Sequence, residues 1–356
     1  MSFTGEPLKF FWLNRCFFLL RQFSSIQWQV ERLLAKTVTR SSLKSLIDRA
    51  LKHDRRAIAQ LISVAENEPY ARFTILSNVY KRTGKARVIG ITGPPGAGKS
   101  TLIAELTKQY RKNGYTVGIV AVDPTSLTTG GAMLGDRIRM TELASDPKVF
   151  IRSMATRGQV GGIARATEDV VRILDASTTD YILVETTGAG QSDVDIRRIA
   201  QTTIVVTAPG LGDEIQALKA GIMEIGDIFV VNKADRQDAD SSAQEIRSVV
   251  MMSEPIKGWR PMVLRTTALS GQGISDLTEA IGEHQRFLKG LAERGGDALE
   301  TRRKVIDAVK RYFEDITLHE LASTKIFANV VSQVETRKSD PYTAARRLVR
   351  RIVIKS

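Results

Sequence analysis

Gly93-Pro94-Pro95-Gly96-Ala97-Gly98-Lys99-Ser100 fits the pattern G-x-x-x-x-G-K-[ST]. The apolar run Val88-Ile89-Gly90-Ile91 precedes it and the helix-like stretch Thr101–Tyr110 follows. Strand, glycine loop and helix therefore come in the order that a phosphate-binding loop requires. In such a loop the main chain of Gly93, Gly96, Ala97 and Gly98 can turn consecutive N–H groups toward phosphate oxygens, and the start of the helix adds its positive end. Lys99 is then placed to reach the β and γ phosphates, and Ser100 to offer its hydroxyl to Mg²⁺.

Outward from this loop, apolar strand-like runs alternate with helix-like segments as far as Thr267. After the first strand they are Val117–Val122, Tyr181–Val184, Thr203–Thr207, Ile228–Val231 and Met262–Leu264. Val/Ile/Leu runs without polar alternation suit strands covered on both faces. The expected fold is therefore α/β, a P-loop NTPase with a mainly parallel sheet between helices. Ligands of such sheets bind at the carboxyl ends of the strands. The acid-bearing and glycine-rich turns of this sequence fall at those ends.

Asp123 closes the second strand and leads into the polar loop Pro124–Gly131, with Leu134-Gly135-Asp136 beyond. Carboxylates there could hold Mg²⁺ or an attacking water, because a hard cation takes oxygen donors and phosphates supply the rest. Either acid alone could also be a turn former or helix cap. Glu185-Thr186-Thr187-Gly188 ends the strand Tyr181–Val184. It occupies the place of the D-x-x-G of GTPases, in which the glycine N–H senses the γ-phosphate, here with glutamate for aspartate. Ala189 stands where Ras-like proteins keep a water-positioning glutamine and Gln191 comes two residues later, which predicts slow unaided hydrolysis.

Asn232-Lys233-Ala234-Asp235 directly follows Ile228–Val231 and matches N-K-x-D. A carboxylate such as Asp235 can accept hydrogen bonds from the N1–H and exocyclic amine of guanine. Adenine lacks that donor pair, so the wrong base leaves an acid unpaired. Thr267-Ala268-Leu269, after the next strand, is the expected loop against the guanine carbonyl. GTP or GDP is therefore the expected nucleotide rather than ATP.

The flanks differ from this core. The chain has 356 residues, 42% hydrophobic and 26% charged, enough for one large domain with appendages. Its net charge of +13 is uneven: residues 1–87 carry 16 basic and 6 acidic side chains, residues 286–356 carry 16 and 9, and the middle 20 and 24. Aromatic residues are only 6% of the whole, which disfavours nucleic-acid binding. Arg346, Arg347, Arg350 and Arg351 share one helical face, as for a solvated or partner-facing helix. The expected segments are 1–40, a leader or extension; 41–86, a helical lead-in; 87–290, the nucleotide-binding domain; and 291–356, a helical arm. Phe10–Leu13 and Phe17–Leu20 are apolar, but Asn14, Arg15 and Arg21 interrupt them, so no membrane span is expected. With a single cysteine, Cys16, and three scattered histidines, neither a disulfide nor a metal cluster is expected. The expected location is cytoplasmic, or an organelle matrix if the leader is a presequence.

Val122-Asp123-Pro124-Thr125-Ser126 with Gly130-Gly131 and Leu134–Asp136, Gly161–Arg165, Val184–Ser192, Pro209–Gln216 through Lys219-Ala220-Gly221, and Asn232–Asp235 together resemble the MeaB/ArgK (MMAA-type) P-loop GTPases. The likeness implies a G-protein chaperone that gates cofactor loading of an adenosylcobalamin-dependent acyl-CoA mutase of the methylmalonyl-CoA mutase type and protects it from inactivation. It further implies Lys99, Ser100 and Thr101 on phosphates and magnesium, Asp123, Asp136 and Glu185 around the metal, and Asn232, Lys233 and Asp235 on guanine. A third switch at Gly212–Lys219 would let Gln216 and Lys219 answer to the partner. Homodimers built on C-terminal helices are implied too, with Arg302–Leu321 and Pro341–Val353 helix-like enough to serve. The sequence departs at Thr187 and Ala189, where the family more often has valines, and in its aromatic-basic leader. Two other readings remain: a metal-delivery GTPase, disfavoured by the scarcity of Cys and His, and a kinase acting on a carrier protein, disfavoured by N-K-x-D.

Overall fold

A computed structural model describes residues 40–123, 141–155, 167–186, 196–210, 224–256, 258–293 and 298–353. The leader before residue 40, the loop 124–136 with Asp136, Gly161–Arg165, the turn Thr187–Gln191 with Gly188, and the Gly212–Lys219 segment with Gln216 and Lys219 lie outside the described residues.

Seven parallel strands form one sheet: β1 (Arg87–Thr92), β2 (Val117–Asp123), β3 (Val149–Ala155), β4 (Tyr181–Glu185), β5 (Thr202–Thr207), β6 (Ile228–Val231) and β7 (Met262–Arg265). Their spatial order is β3-β2-β4-β1-β5-β6-β7. Helices cover the sheet, so the apolar runs of the central strands are buried: every residue of β4, β5 and β6 is inaccessible or nearly so. The α/β fold with a parallel sheet is thus as the sequence predicts. β3 is the addition, since Arg152 and Ser153 interrupt its apolar run. It lies at the sheet edge and among the described residues pairs only with β2, and there a polar side chain can turn aside. Arg152 donates to Glu66 and, at 3.2 Å, to Ser63 Oγ.

Contacts divide the chain into two compact units, one of Ser45–Asn67 with Arg72–Gly296, the other of the described parts of Met1–Lys44, Glu68–Ala71 and Asp297–Ser356. In the lead-in, α1 (Arg40–Ala50) and α2 (Arg55–Asn67) present apolar residues at helical spacing, and Ile58, Leu61 and Ile62 of α2 are wholly buried. Asp54 caps α2 by accepting from the N–H groups of Arg56 and Ala57. Pro69 opens the next helix, α3 (Pro69–Val79), at the position where a missing N–H costs nothing. Against the sheet, α4 (Lys99–Lys112) buries Leu102, Ile103 and Leu106, each worth about 2 kcal/mol of burial. At its far end Tyr110 stacks on Tyr181, ring centres 3.8 Å apart. The remaining α-helices of this unit among the described residues are α5 (Thr141–Ala144), α6 (Thr167–Ala176), α7 (Ala239–Met252) and α8 (Ile274–Glu293).

In the second unit α9 (Ala298–Tyr312) runs through a π-turn at Phe313–Thr317 into α10 (Leu318–Ala322), followed by α11 (Lys325–Glu335) and α12 (Pro341–Val353). Thr324 caps α11 by accepting from Phe327 N–H, and Asp340 accepts from Thr343 N–H at the start of α12. Ile316, Ala344 and Leu348 are buried, whereas Val305, Val309, Tyr312 and Tyr342 are exposed.

Candidate functional site

The strand order puts β1 in the middle, with the chain turning to β4 and β2 on one side and β5 to β7 on the other. A parallel sheet has its crevice at the carboxyl end of such a reversal. Each sequence-predicted site residue within the described part emerges at that end: Gly93 to Thr101 after β1, Asp123 at the end of β2, Glu185 at the end of β4, Asn232 to Asp235 after β6, and Thr267 to Leu269 after β7.

Two glycines of the loop are dictated by space. Gly93 has φ of 135°, and a Cβ there would lie 1.9 Å from the carbonyl oxygen of Val206 in β5. Gly98 has φ of 93°, and its Cβ would lie 2.3 Å from Asn232 Nδ2. Both are left-handed or mirror-region conformations that side chains resist. The loop then enters α4 directly, with Leu102 N–H donating to Gly98 O at 2.9 Å, so the N–H groups of the helix's first turn point back toward the loop's hollow. Lys99 is buried and donates from Nζ to the carbonyls of Gly93 at 2.8 Å and Pro94 at 3.1 Å. Ser100 Oγ donates to Glu185 Oε1 at 2.7 Å, both residues being buried. Register explains the meeting: Glu185 pairs with Ile91 of β1 and Ala121 of β2, directly below the loop. Thr186 continues the join, its N–H donating to Ile91 O and its hydroxyl to Thr92 Oγ1.

On the other side the N-K-x-D stretch is built into the same loop. Asn232, 2% exposed, donates from Nδ2 to Ala97 O at 2.9 Å and accepts at Oδ1 from Thr266 Oγ1 at 3.1 Å and Ala268 N–H at 3.0 Å. One side chain thus ties the phosphate loop to the loops after β6 and β7. Lys233, at φ of 56°, donates from Nζ to Gly96 O at 2.7 Å. Asp235 is exposed, as is Leu269, while Ala268 is buried. Thr267 pairs with Gln272 across a tight turn. Thr101 sits half-buried on the first turn of α4.

The hollow suits a polyphosphate: its glycines place no side chain between the main chain and a ligand, and Lys99 stands at its base. Ser100 and Glu185 also make a compact oxygen pair of the kind Mg²⁺ accepts, since that ion keeps waters and takes few protein ligands.

A second buried cluster was not expected from sequence. His284 of α8 meets Thr202 Oγ1 at 3.0 Å and Asp227 at 3.6 Å, and Trp259 Nε1 donates to Asp227 O. Burial pushes the Asp227 carboxyl up to about 6, against the Thr203 N–H that donates to it, and burial pulls His284 down to about 4. It pins α8 and the strand entrances, at the end of the sheet opposite the crevice. No spacing rule marks it, because its members are separated by up to 82 residues.

A parallel sheet, a glycine phosphate loop and an N-K-x-D turn braced against it define the P-loop GTPase class. The chain belongs to the MeaB family: the model of "Methylmalonyl Co-A mutase-associated GTPase MeaB" matches residues 56–325. A Pyrococcus horikoshii protein named "Putative GTPase" is 47% identical over 316 residues, 87% of this chain and 98% of that one. The "Methylmalonic aciduria type A homolog, mitochondrial" of Caenorhabditis elegans is 29% identical over 93% of this chain and 87% of its own. A crystal structure titled "LAO/AO transport system kinase" shares the fold, with a TM-score of 0.63 at 23% identity over 89% of this chain and 99% of that one. The chain is accordingly a GTPase that hydrolyses GTP to GDP and phosphate. Among the described residues no helix is long and apolar enough to cross a membrane.

Proposed function

We propose that this GTPase is a chaperone of an adenosylcobalamin-dependent acyl-CoA mutase of the methylmalonyl-CoA mutase type, gating cobalamin loading and protecting the mutase from inactivation. The observation that carries this is the match over residues 56–325 to a family described as mutase-associated. The mouse relative named "Methylmalonic aciduria type A homolog, mitochondrial", 35% identical over 58% of this chain and 50% of its own, agrees with it. The mitochondrial names also support an organelle matrix if residues before 40 are a presequence.

In this reading the main-chain N–H groups of Gly93 and of Gly96 to Thr101 hold the phosphates and Lys99 neutralises charge that builds between the β and γ groups. For that, Lys99 Nζ must exchange its bonds to Gly93 and Pro94 carbonyls for phosphate oxygens. Ser100, Asp123, Asp136 and Glu185 would hold Mg²⁺, which when bound would screen the triphosphate and polarise the phosphoryl oxygens. Asp235 reads guanine with Asn232 and Lys233 bracing it, and Thr267–Leu269 close over the base. Gly188 senses the γ-phosphate, and Gln216 and Lys219 relay the nucleotide state to the mutase. With Ala189 in place of glutamine no side chain there orients water, so hydrolysis is slow until the partner binds. The exposed Val305, Val309 and Tyr312 of α9 suit a homodimer contact.

The test is steady-state GTP hydrolysis with and without a purified cobalamin-dependent acyl-CoA mutase. Stimulation, together with nucleotide-dependent co-elution of the two proteins, supports the reading. A rate unchanged by mutase at saturating concentration, with no complex in a non-hydrolysable GTP analogue, refutes it.

A further inference from the structure

We infer a second anion site, built for an organic phosphate, in a cavity of about 450 Å³ between the first turn of α2 and the edge strand β3. Its walls are Arg55, Arg56 and Ala59 of α2 and Phe150, Ile151 and Arg152 of β3. Three arginines thus line the space together with an apolar floor of Phe150, Ile151 and Ala59, and among the described residues no acid lines it.

The acids nearby are committed elsewhere. Asp54 caps α2 and accepts from Arg49 at 2.7 Å, Asp146 accepts from Arg111 at 2.8 Å, and Glu66 holds Arg152. Arg55 donates only to main-chain carbonyls among the described residues, Asp146 O at 3.2 Å and Ala144 O at 3.3 Å. These long bonds fix the guanidinium while leaving its charge uncancelled. Arg152 Nε is buried without a hydrogen-bond partner, and Arg56 is exposed with no ion pair among the described residues. Glu66 balances Arg152, but Arg55 and Arg56 leave two like charges beside one hollow, and α2 has no acidic residue in its first turn to offset them. An anion entering the hollow supplies that offset.

Guanidinium forks suit both carboxylate and phosphate, but two uncancelled charges in Arg55 and Arg56 favour the higher charge of a phosphate. The cavity volume is within the range of small-molecule sites, and the Phe150–Ile151 floor offers contact to an apolar or planar body attached to that phosphate. The site is separate from the nucleotide crevice. Ile151 lies four residues before Ala155, which pairs with Asp123, so the two are about 13 Å apart along the strand.

The probe is phenyl phosphate, titrated calorimetrically into the full chain saturated with GDP and Mg²⁺ so that the glycine loop is blocked. One saturable equivalent, weakening as salt rises, is expected. Arg56→Gln and Arg55→Gln should each weaken it about tenfold or more, the value of one lost charge-assisted contact, with GDP affinity and the circular dichroism spectrum unchanged. Benzoate should bind more weakly than phenyl phosphate, and so should inorganic phosphate, which lacks the body that meets the floor. No heat of binding at millimolar phenyl phosphate, binding indifferent to both arginine substitutions, or equal binding of benzoate would overturn the inference.

Discussion

Asn232→Ala is the substitution that separates a structural tie from a mere sequence signature. The side chain is 2% exposed and makes three hydrogen bonds, to Ala97 O, Thr266 Oγ1 and Ala268 N–H, at 2.9 to 3.1 Å. Ala97 and Ala268 are buried, so truncation strands their polar groups where water reaches them poorly. At about 1 kcal/mol for each bond lost, the expected loss is about 3 kcal/mol of stability. The functional effect should be larger than for an exposed contact, because the same side chain sets the phosphate loop against the base-side loops. Urea unfolding of the nucleotide-free protein would measure the stability change, and calorimetric titration with GDP and GTP would measure binding. We expect both nucleotides to weaken in parallel, by tenfold or more. A variant that loses less than about 1 kcal/mol and binds GDP as wild type would refute the tie, since no alternative partner for Ala97 O is then needed.

Gly93→Ala should cost far more than Gly96→Ala by urea midpoint. A Cβ at 93 meets main chain of β5 at 1.9 Å, while at 96, with φ of 78°, nothing lies within 4 Å and only about 1 kcal/mol of backbone strain is added. Lys99→Ala should abolish GTP turnover and weaken GTP and GDP together, read by phosphate release and calorimetry; retained turnover would remove Lys99 from the phosphate site. Asp235→Asn should narrow the preference for GTP over ATP in competition binding, and an unchanged preference would discard Asp235 as the base reader. Asp227 bears on acid stability. Its folded pKa, about 6, is above the unfolded 3.8, so its protonation stabilises the fold at low pH and that gain is lost as pH rises through 6. His284, lowered from 6.5 to about 4, acts oppositely and costs stability as pH falls through that window. Asp227→Asn should therefore fall further below wild type in melting temperature as pH drops from 6 to 4.

The contiguous parts of the candidate site are legible in the sequence alone. G-x-x-x-x-G-K-S after an apolar run and N-K-A-D after another each carry their chemistry within eight residues, and the demands on φ and on donor type are local. For the same reason the buried strands from Val117, Tyr181, Thr203 and Ile228 could be read from unbroken apolar runs. β3 could not, because Arg152 and Ser153 break the run, and what accommodates Arg152 is Glu66 and Ser63 of α2, 86 and 89 positions away.

The one-dimensional chain by itself determined the phosphate loop, the guanine signature, the alternation of strands and helices and, through them, the class of the fold. Only the tertiary structure decided that β4 inserts between β1 and β2, which brings Glu185 onto Ser100 across 85 positions, and that Asn232 reaches Ala97 across 135. The same holds for the gathering of Arg55, Arg56 and Arg152 around one cavity. The physical reason is that periodicity and backbone conformation are set by near neighbours, whereas contacts between strand ends depend on sheet order and register, and many sequences compatible with the same local pattern would leave those orders open.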